Sequence, residues 1–161
     1  MVRRVMKNSI LIIFIFVSIS ACVNSDVYLK YKSITTHGWS KDSLLTFDIP
    51  VKDIASRYNI YVNIRNRGEY PYQNLWLFLN RMTPDSIQTN DSIECYLADN
   101  HGKWLGTGIG SVLQMPVLYQ QNVKFNKTGV YHYSIVHGMR DSLLVGINDI
   151  GMQVEKVTQK P

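Results

Sequence analysis

The residue with the most specific chemical reading in this chain is Cys22. It follows Ile19-Ser20-Ala21, an aliphatic residue and two small ones ahead of a cysteine. That is the pattern of a bacterial lipobox, in which the thiol is joined to diacylglycerol and the cysteine becomes the first residue of the mature protein. What precedes it agrees. Arg3, Arg4 and Lys7 give a positive start without an acid, and residues 10–17 are apolar without interruption. A run so short is the core of a signal peptide, since a spanning helix needs about 20 apolar residues. Burial of an acyl chain contributes about 0.8 kcal/mol per CH₂ and one chain binds only marginally, so the two or three chains of a mature lipoprotein anchor it stably. The membrane partner is therefore lipid, reached through Cys22.

The other reactive residue types do not assemble into a signature. Cys95 is the second of two cysteines, so with Cys22 lipidated no intramolecular disulfide forms, even in an oxidising compartment. Within the alternating run Ser92-Ile93-Glu94-Cys95-Tyr96-Leu97 it reads as a small core residue, with no neighbouring base to activate it. His37, His101, His132 and His137 show no H-E-x-x-H, H-x-H or C-x-x-C spacing, and each reads as a surface or interface histidine. Gly106-Thr107-Gly108-Ile109-Gly110 lacks the lysine and the following helix that a phosphate loop requires, and reads as flexible or closely packed backbone between strands. There is no Gly-x-Ser-x-Gly elbow. Paired carboxylates need only be close in space, and nothing in the order of Glu69, Glu94 and Glu155 pairs them. No catalytic, metal or cofactor residue is assigned, and a non-enzyme is expected.

Aromatic side chains are the better lead. Trp104, Tyr70 and Tyr72 suit a protein-contact surface or a sugar-stacking face, whereas Trp76, inside the most apolar segment, reads as core. Tyr70-Pro71 favours a rigid turn and raises the chance of a cis bond, presenting Tyr72 ahead of the next strand. Asp99 to Gly102 reads as a turn that holds Trp104 at the start of a following strand. Arg140, in a loop after a strand, is a further candidate for anchoring a partner. If these loops gather at one end of the domain, that end is the expected binding surface.

The elements that must position these residues are strands. Tyr58, Ile60, Val62 and Ile64 alternate on one face of a half-buried strand, and Leu44 to Ile49 ends at Pro50. Asn74 to Asn80 is apolar through its middle, which predicts a central strand covered on both faces. Segments near residues 92–97, 117–125, 130–136 and 150–157 are rich in β-branched and aromatic residues. Turn residues punctuate them at 66–68, 99–102, 126–129 and 146–149. Short helical turns are expected at 51–57 and 111–115. Such a series predicts an all-β fold, an antiparallel β-sandwich of jelly-roll or immunoglobulin-like type, following the N-terminal signal peptide. The expected organisation is a lipoprotein signal peptide over 1–21, a lipidated tether over 22–26 and one sandwich domain over 27–161.

Charge narrows the partners. The chain has 161 residues and a formal charge of +5; removing Arg3, Arg4 and Lys7 from its 17 basic residues leaves 14 against 12 acidic ones, or +2. A nearly neutral mature domain excludes nucleic acid as the expected partner.

Three strings then resemble one family. They are Tyr70-Pro71-Tyr72-Gln73-Asn74-Leu75-Trp76-Leu77-Phe78; Glu94 to Asp99 with Gly102 to Gly108; and Gly138-Met139-Arg140 leading to Gly146-Ile147-Asn148-Asp149-Ile150-Gly151. In this order they are similar to the gliding motility lipoprotein GldH family of the Bacteroidetes. The resemblance implies a component of the envelope machinery for gliding, tied to the type IX secretion apparatus, with no established catalysis or cofactor. It carries over one residue, Cys22. The expected function is a tethered protein-binding or assembly-stabilising module whose partners are other envelope proteins. The alternative is a carbohydrate-binding envelope lipoprotein that holds glycans on Trp104 and Tyr72. Val23 is not the aspartate that retains lipoproteins at the inner membrane, so the expected site is the outer membrane, on its periplasmic face.

Overall fold

A computed structural model describes residues 26–108 and 110–157. The signal peptide and Cys22 lie outside the described residues. Ten strands follow in chain order: β1 (Asp26–Ser33), β2 (Trp39–Ser40), β3 (Leu45–Val51), β4 (Tyr58–Arg67), β5 (Asn74–Met82), β6 (Gln88–Tyr96), β7 (Val112–Val123), β8 (Gly129–His137), β9 (Leu143–Leu144) and β10 (Ile147–Lys156). The described residues contain no helix.

The strands form two four-stranded antiparallel sheets, ordered β1-β10-β4-β7 and β3-β8-β5-β6, with β2 and β9 as a short ribbon. Their pairing is nested: β1 with β10, β2 with β9, β3 with β8, β4 with β7 and β5 with β6. A chain folded as one long hairpin and rolled around a core is a jelly roll, which decides between the two expected sandwiches.

Period-2 patterning explains why these segments are strands. In β4, Tyr58, Ile60, Val62 and Ile64 are buried, and β10 opposes them with Ile150, Met152 and Val154. Full burial of one such side chain contributes roughly 1.5–3 kcal/mol. Leu45, Phe47, Ile49 and Val51 of β3 and Leu75, Leu77 and Leu79 of β5 face them from the other sheet. Two prolines lie inside strands, Pro50 in β3 and Pro116 in β7, and both strands are sheet edges, where a missing N–H breaks no ladder.

Several expectations are corrected. Residues 51–57 form no helical turn; the Asp53 carboxylate instead accepts the N–H groups of Ala55 (2.9 Å) and Ser56 (3.2 Å), a turn closed by a side chain. Residues 112–115 belong to β7. The turn expected at 146–149 shrinks to Gly146, because β10 starts at Ile147 with a bulge before Asp149. No cis peptide occurs among the described residues, so Tyr70-Pro71 turns the chain in the trans form. Strand β5 is interior to its sheet, as expected, but only one of its faces is covered. Trp76 is 39% exposed and Phe78 49%, while Leu75 and Leu77 are fully buried.

The register defines two ends. Asp26 pairs with Glu155, Lys156 with Tyr58, Tyr58 with Val123, and Val51 with Gly129. The start of β1 therefore shares one end with the connections at 52–57, 83–87 and 124–128. The connections at 34–38, 68–73, 97–111 and 138–146 lie at the other.

Candidate functional site

The loop at 68–73 is built around Tyr70. Its N–H donates to the Arg67 carbonyl (3.1 Å) and its hydroxyl to the Asn74 carbonyl (2.8 Å), and burial pushes that hydroxyl well above the ordinary tyrosine value. Gly146 sits against it with φ +85°, and a Cβ there would stand 2.5 Å from the Tyr70 Cα. Only glycine permits that approach. Tyr70 is thus 3% exposed, and its expected role as a partner contact is corrected: its ring is structural because the loops at 68–73 and 138–146 close over it.

The same packing brings the predicted residues together. The Tyr70 ring lies 5.8 Å from Tyr72 and 6.5 Å from Trp104. Trp104 is half-buried against the core, following a turn in which Asp99 Oδ1 accepts the N–H groups of His101 and Lys103, both at 2.9 Å. Tyr72 is exposed and donates its hydroxyl to Asp141 Oδ2 (2.6 Å); that bond to a carboxylate raises its pKa. Arg140 is exposed beside it. Tyr72, Asn74, Trp76, Met139 and Arg140 surround an open hollow of about 510 Å³. Its wall is fixed by the backbone: Gly138 N–H donates to the Trp76 carbonyl (2.7 Å), and Trp76 N–H to Met139 Sδ (3.4 Å).

A second hollow of about 500 Å³ adjoins it on the outer face of the β3-β8-β5-β6 sheet, where Leu44, Phe78 and Val136 meet Asn90, Ser92 and Ser134. Register places Phe78 between Ser92 and Val136, Trp76 opposite Glu94, and Asn74 opposite Tyr96. Glu94 bridges that row, accepting from Asn74 Nδ2 (2.5 Å) and the Tyr96 hydroxyl (3.1 Å). Trp76, Phe78 and Tyr96 are the functional candidates that sequence reasoning missed. The uninterrupted Leu75-Trp76-Leu77-Phe78-Leu79 hides the alternation that would have separated the two faces.

The outer face of the other sheet is different. Asn63 Nδ2 donates to Gln153 Oε1 (2.8 Å), Arg65 Nε to Gln114 Oε1 (2.9 Å), and the Arg65 guanidinium stacks 3.8 Å from the Tyr31 ring. Polar ladders cross that sheet and its exposed apolar side chains, such as Leu29 and Leu118, are aliphatic, whereas aromatic rings stand open on the β5 sheet.

Chemistry elsewhere is sparse. Cys95 is buried, and burial pushes its thiol up to about 12. His132 faces outward and meets Asp48 Oδ1 at 2.6 Å. His137, expected at the surface, is buried; its Nε2 lies 3.1 Å from the Trp39 carbonyl, and burial lowers its pKa. Gly106 and Gly108 press on the Gln114 and Val112 carbonyls, the close packing expected of the glycine run. Among the described residues no three His, Cys, Asp or Glu side chains cluster to hold a metal.

Residues 26–154, from the first strand almost to the end of the last, match the family model described as GldH lipoprotein. The chain belongs to the GldH lipoprotein family. Relatives in the GldH family include a "Gliding motility lipoprotein GldH homolog" of Christiangramia forsetii, 37% identical over 89% of this chain and 92% of its own length. Another is the "Gliding motility lipoprotein GldH" of Flavobacterium johnsoniae, 32% identical over 93% of this chain and 97% of its own. The aromatic face and the two hollows lie wholly within the GldH match.

Proposed function

We propose that this protein is a non-catalytic envelope lipoprotein of the gliding and type IX secretion machinery that binds or stabilises another envelope protein through the outer face of the β3-β8-β5-β6 sheet. In this reading Cys22 carries the lipid, the outer membrane holds it, and the domain works on the periplasmic face. The observation that carries the proposal is the inequality of the two outer faces. One is crossed by side-chain ladders and exposes aliphatic side chains, Leu29 and Leu118, towards its edges; the other leaves Trp76 and Phe78 of a single strand and Tyr96 of its neighbour open to solvent. Exposed aromatics around a hollow, with Arg140 at the rim, are what protein contacts use. Neither hollow has more than one carboxylate in its lining, which favours contact over hydrolysis.

A glycan reading draws on the same face, since exposed rings beside Asn80, Asn90 and Ser92 are chemically suited to sugars. Crosslinking and capture of the native lipoprotein separates the two. Enrichment of an envelope protein over a control lipoprotein, lost in Trp76→Ala with Phe78→Ala, is expected. Recovery of glycans alone would sink the protein-binding reading.

A further inference from the structure

Two of the three connections at the end of the sandwich where β1 begins are basic, 52–57 and 124–128. Lys52 in the β3–β4 connection and Lys124 in the β7–β8 connection are exposed and make no ion pair among the described residues, and Arg57 is exposed beside them. The acids of these connections are already engaged: Lys156 Nζ meets Asp53 Oδ2 at 2.9 Å and Lys127 Nζ meets Asp85 Oδ2 at 2.9 Å, while Glu155 of β10 accepts from Gln153 Nε2 at 2.9 Å. In the connections themselves, the charges left without an ion pair among the described residues are Lys52, Arg57 and Lys124. At two of the loop tips Ile54 is 38% exposed and Ile87 58%.

Hydrogen bonds and an ion pair tie these connections together. Thr83 closes the 83–87 turn, its carbonyl accepting from Ser86 N–H (2.9 Å) and its hydroxyl from Ile87 N–H (3.1 Å). The Asp85–Lys127 pair ties that turn to the next connection. The Arg57 guanidinium donates to the Asn122 carbonyl at 2.9 Å, tying the 52–57 connection to the end of β7.

Three residues separate Cys22 from Asp26, where β1 starts. Fully extended, that stretch spans at most about 14 Å. We infer that this end is a docking surface for the membrane itself: Lys52, Arg57 and Lys124 lie on anionic headgroups of the leaflet that holds the Cys22 lipid, and Ile54 and Ile87 enter the interface. This rests on the reading of Cys22 as lipidated. The tether brings this end and no other against the bilayer, and screening at physiological ionic strength leaves charges within about 8 Å of the surface in contact with its potential. Each lysine so placed favours the docked orientation by roughly fivefold. The hollow beside Tyr72 and Arg140 then points away from the membrane, toward partners.

The test uses the full mature lipoprotein in vesicles of phosphatidylcholine with or without phosphatidylglycerol, doped with headgroup-nitroxide lipid. A fluorophore is placed through Ile87→Cys at the near end or Leu105→Cys at the far end. The Ile87 probe is expected to be quenched with phosphatidylglycerol, less so without it, in high salt, or in Lys52→Glu with Lys124→Glu; the Leu105 probe stays bright throughout. Equal quenching at both ends, or quenching indifferent to lipid charge, overturns the docking surface. Flotation with vesicles but a bright Ile87 probe overturns docking while leaving the anchor intact. Failure to float overturns the anchor and the docking with it.

Discussion

Tyr70 and Tyr72 stand two residues apart in one loop and are subject to opposite physics. Tyr70 is a buried ring whose backbone packs against Gly146, so Tyr70→Ala opens a cavity and is expected to cost about 3–5 kcal/mol, read as a fall in the urea midpoint at constant slope. Gly146→Ala, with a Cβ forced against the Tyr70 backbone, lowers the same midpoint. Tyr72→Ala leaves the midpoint in place and weakens partner capture. His137 belongs at this scale too. Burial holds its imidazole below the ordinary 6.5, so below about pH 6.5 the unfolded chain binds more protons than the folded one and stability falls with pH. Urea midpoints measured from neutral to mildly acid pH should fall in the wild type, and His137→Gln, less stable at neutral pH, should lose that part of the slope. An equal slope in the variant would assign the effect to other groups.

Strand β5 joins core and surface in alternate residues. Leu77 is fully buried and Phe78 half-exposed, so Leu77→Ala is expected to cost about 2–5 kcal/mol and Phe78→Ala well under that, about 1 kcal/mol or less. Thermal denaturation of the two variants checks this, and a larger loss for Phe78 would place that ring in the core. The contrast explains what the sequence made legible. In β4 the alternation Tyr58, Ile60, Val62, Ile64 is broken by polar residues, so the buried face could be read directly. In β5 apolar residues occupy both faces, and the pattern of a covered strand is the same as that of a strand with an open aromatic face. His137 and Tyr70 were misplaced for a related reason: their burial depends on Trp39 and Gly146, distant in sequence. The loops holding Tyr72, Trp104 and Arg140 were legible from their turn residues alone.

At the scale of the whole molecule, nested pairing places the two proposed surfaces at different ends. Strand content was readable locally, but the choice of a jelly roll rests on pairs such as Asp26 with Glu155, which no local pattern reveals. That pairing sets the start of β1 and the loops holding Lys52 and Lys124 at one end, and Tyr72, Trp104 and Arg140 at the other, beside the open face of β5 and β6. In the proposed arrangement the lipoprotein stands on its membrane and presents aromatic rings to what lies beyond. The most direct measurement is site-specific photocrosslinking in intact envelopes, with a photoreactive phenylalanine replacing Tyr96 on the open face or Leu118 on the opposite sheet, exposed at 59% and 44%. The account predicts an adduct with an envelope protein from position 96, lost in Trp76→Ala with Phe78→Ala, and none from position 118. Equal adducts from both positions, or no protein adduct from position 96, would contradict it.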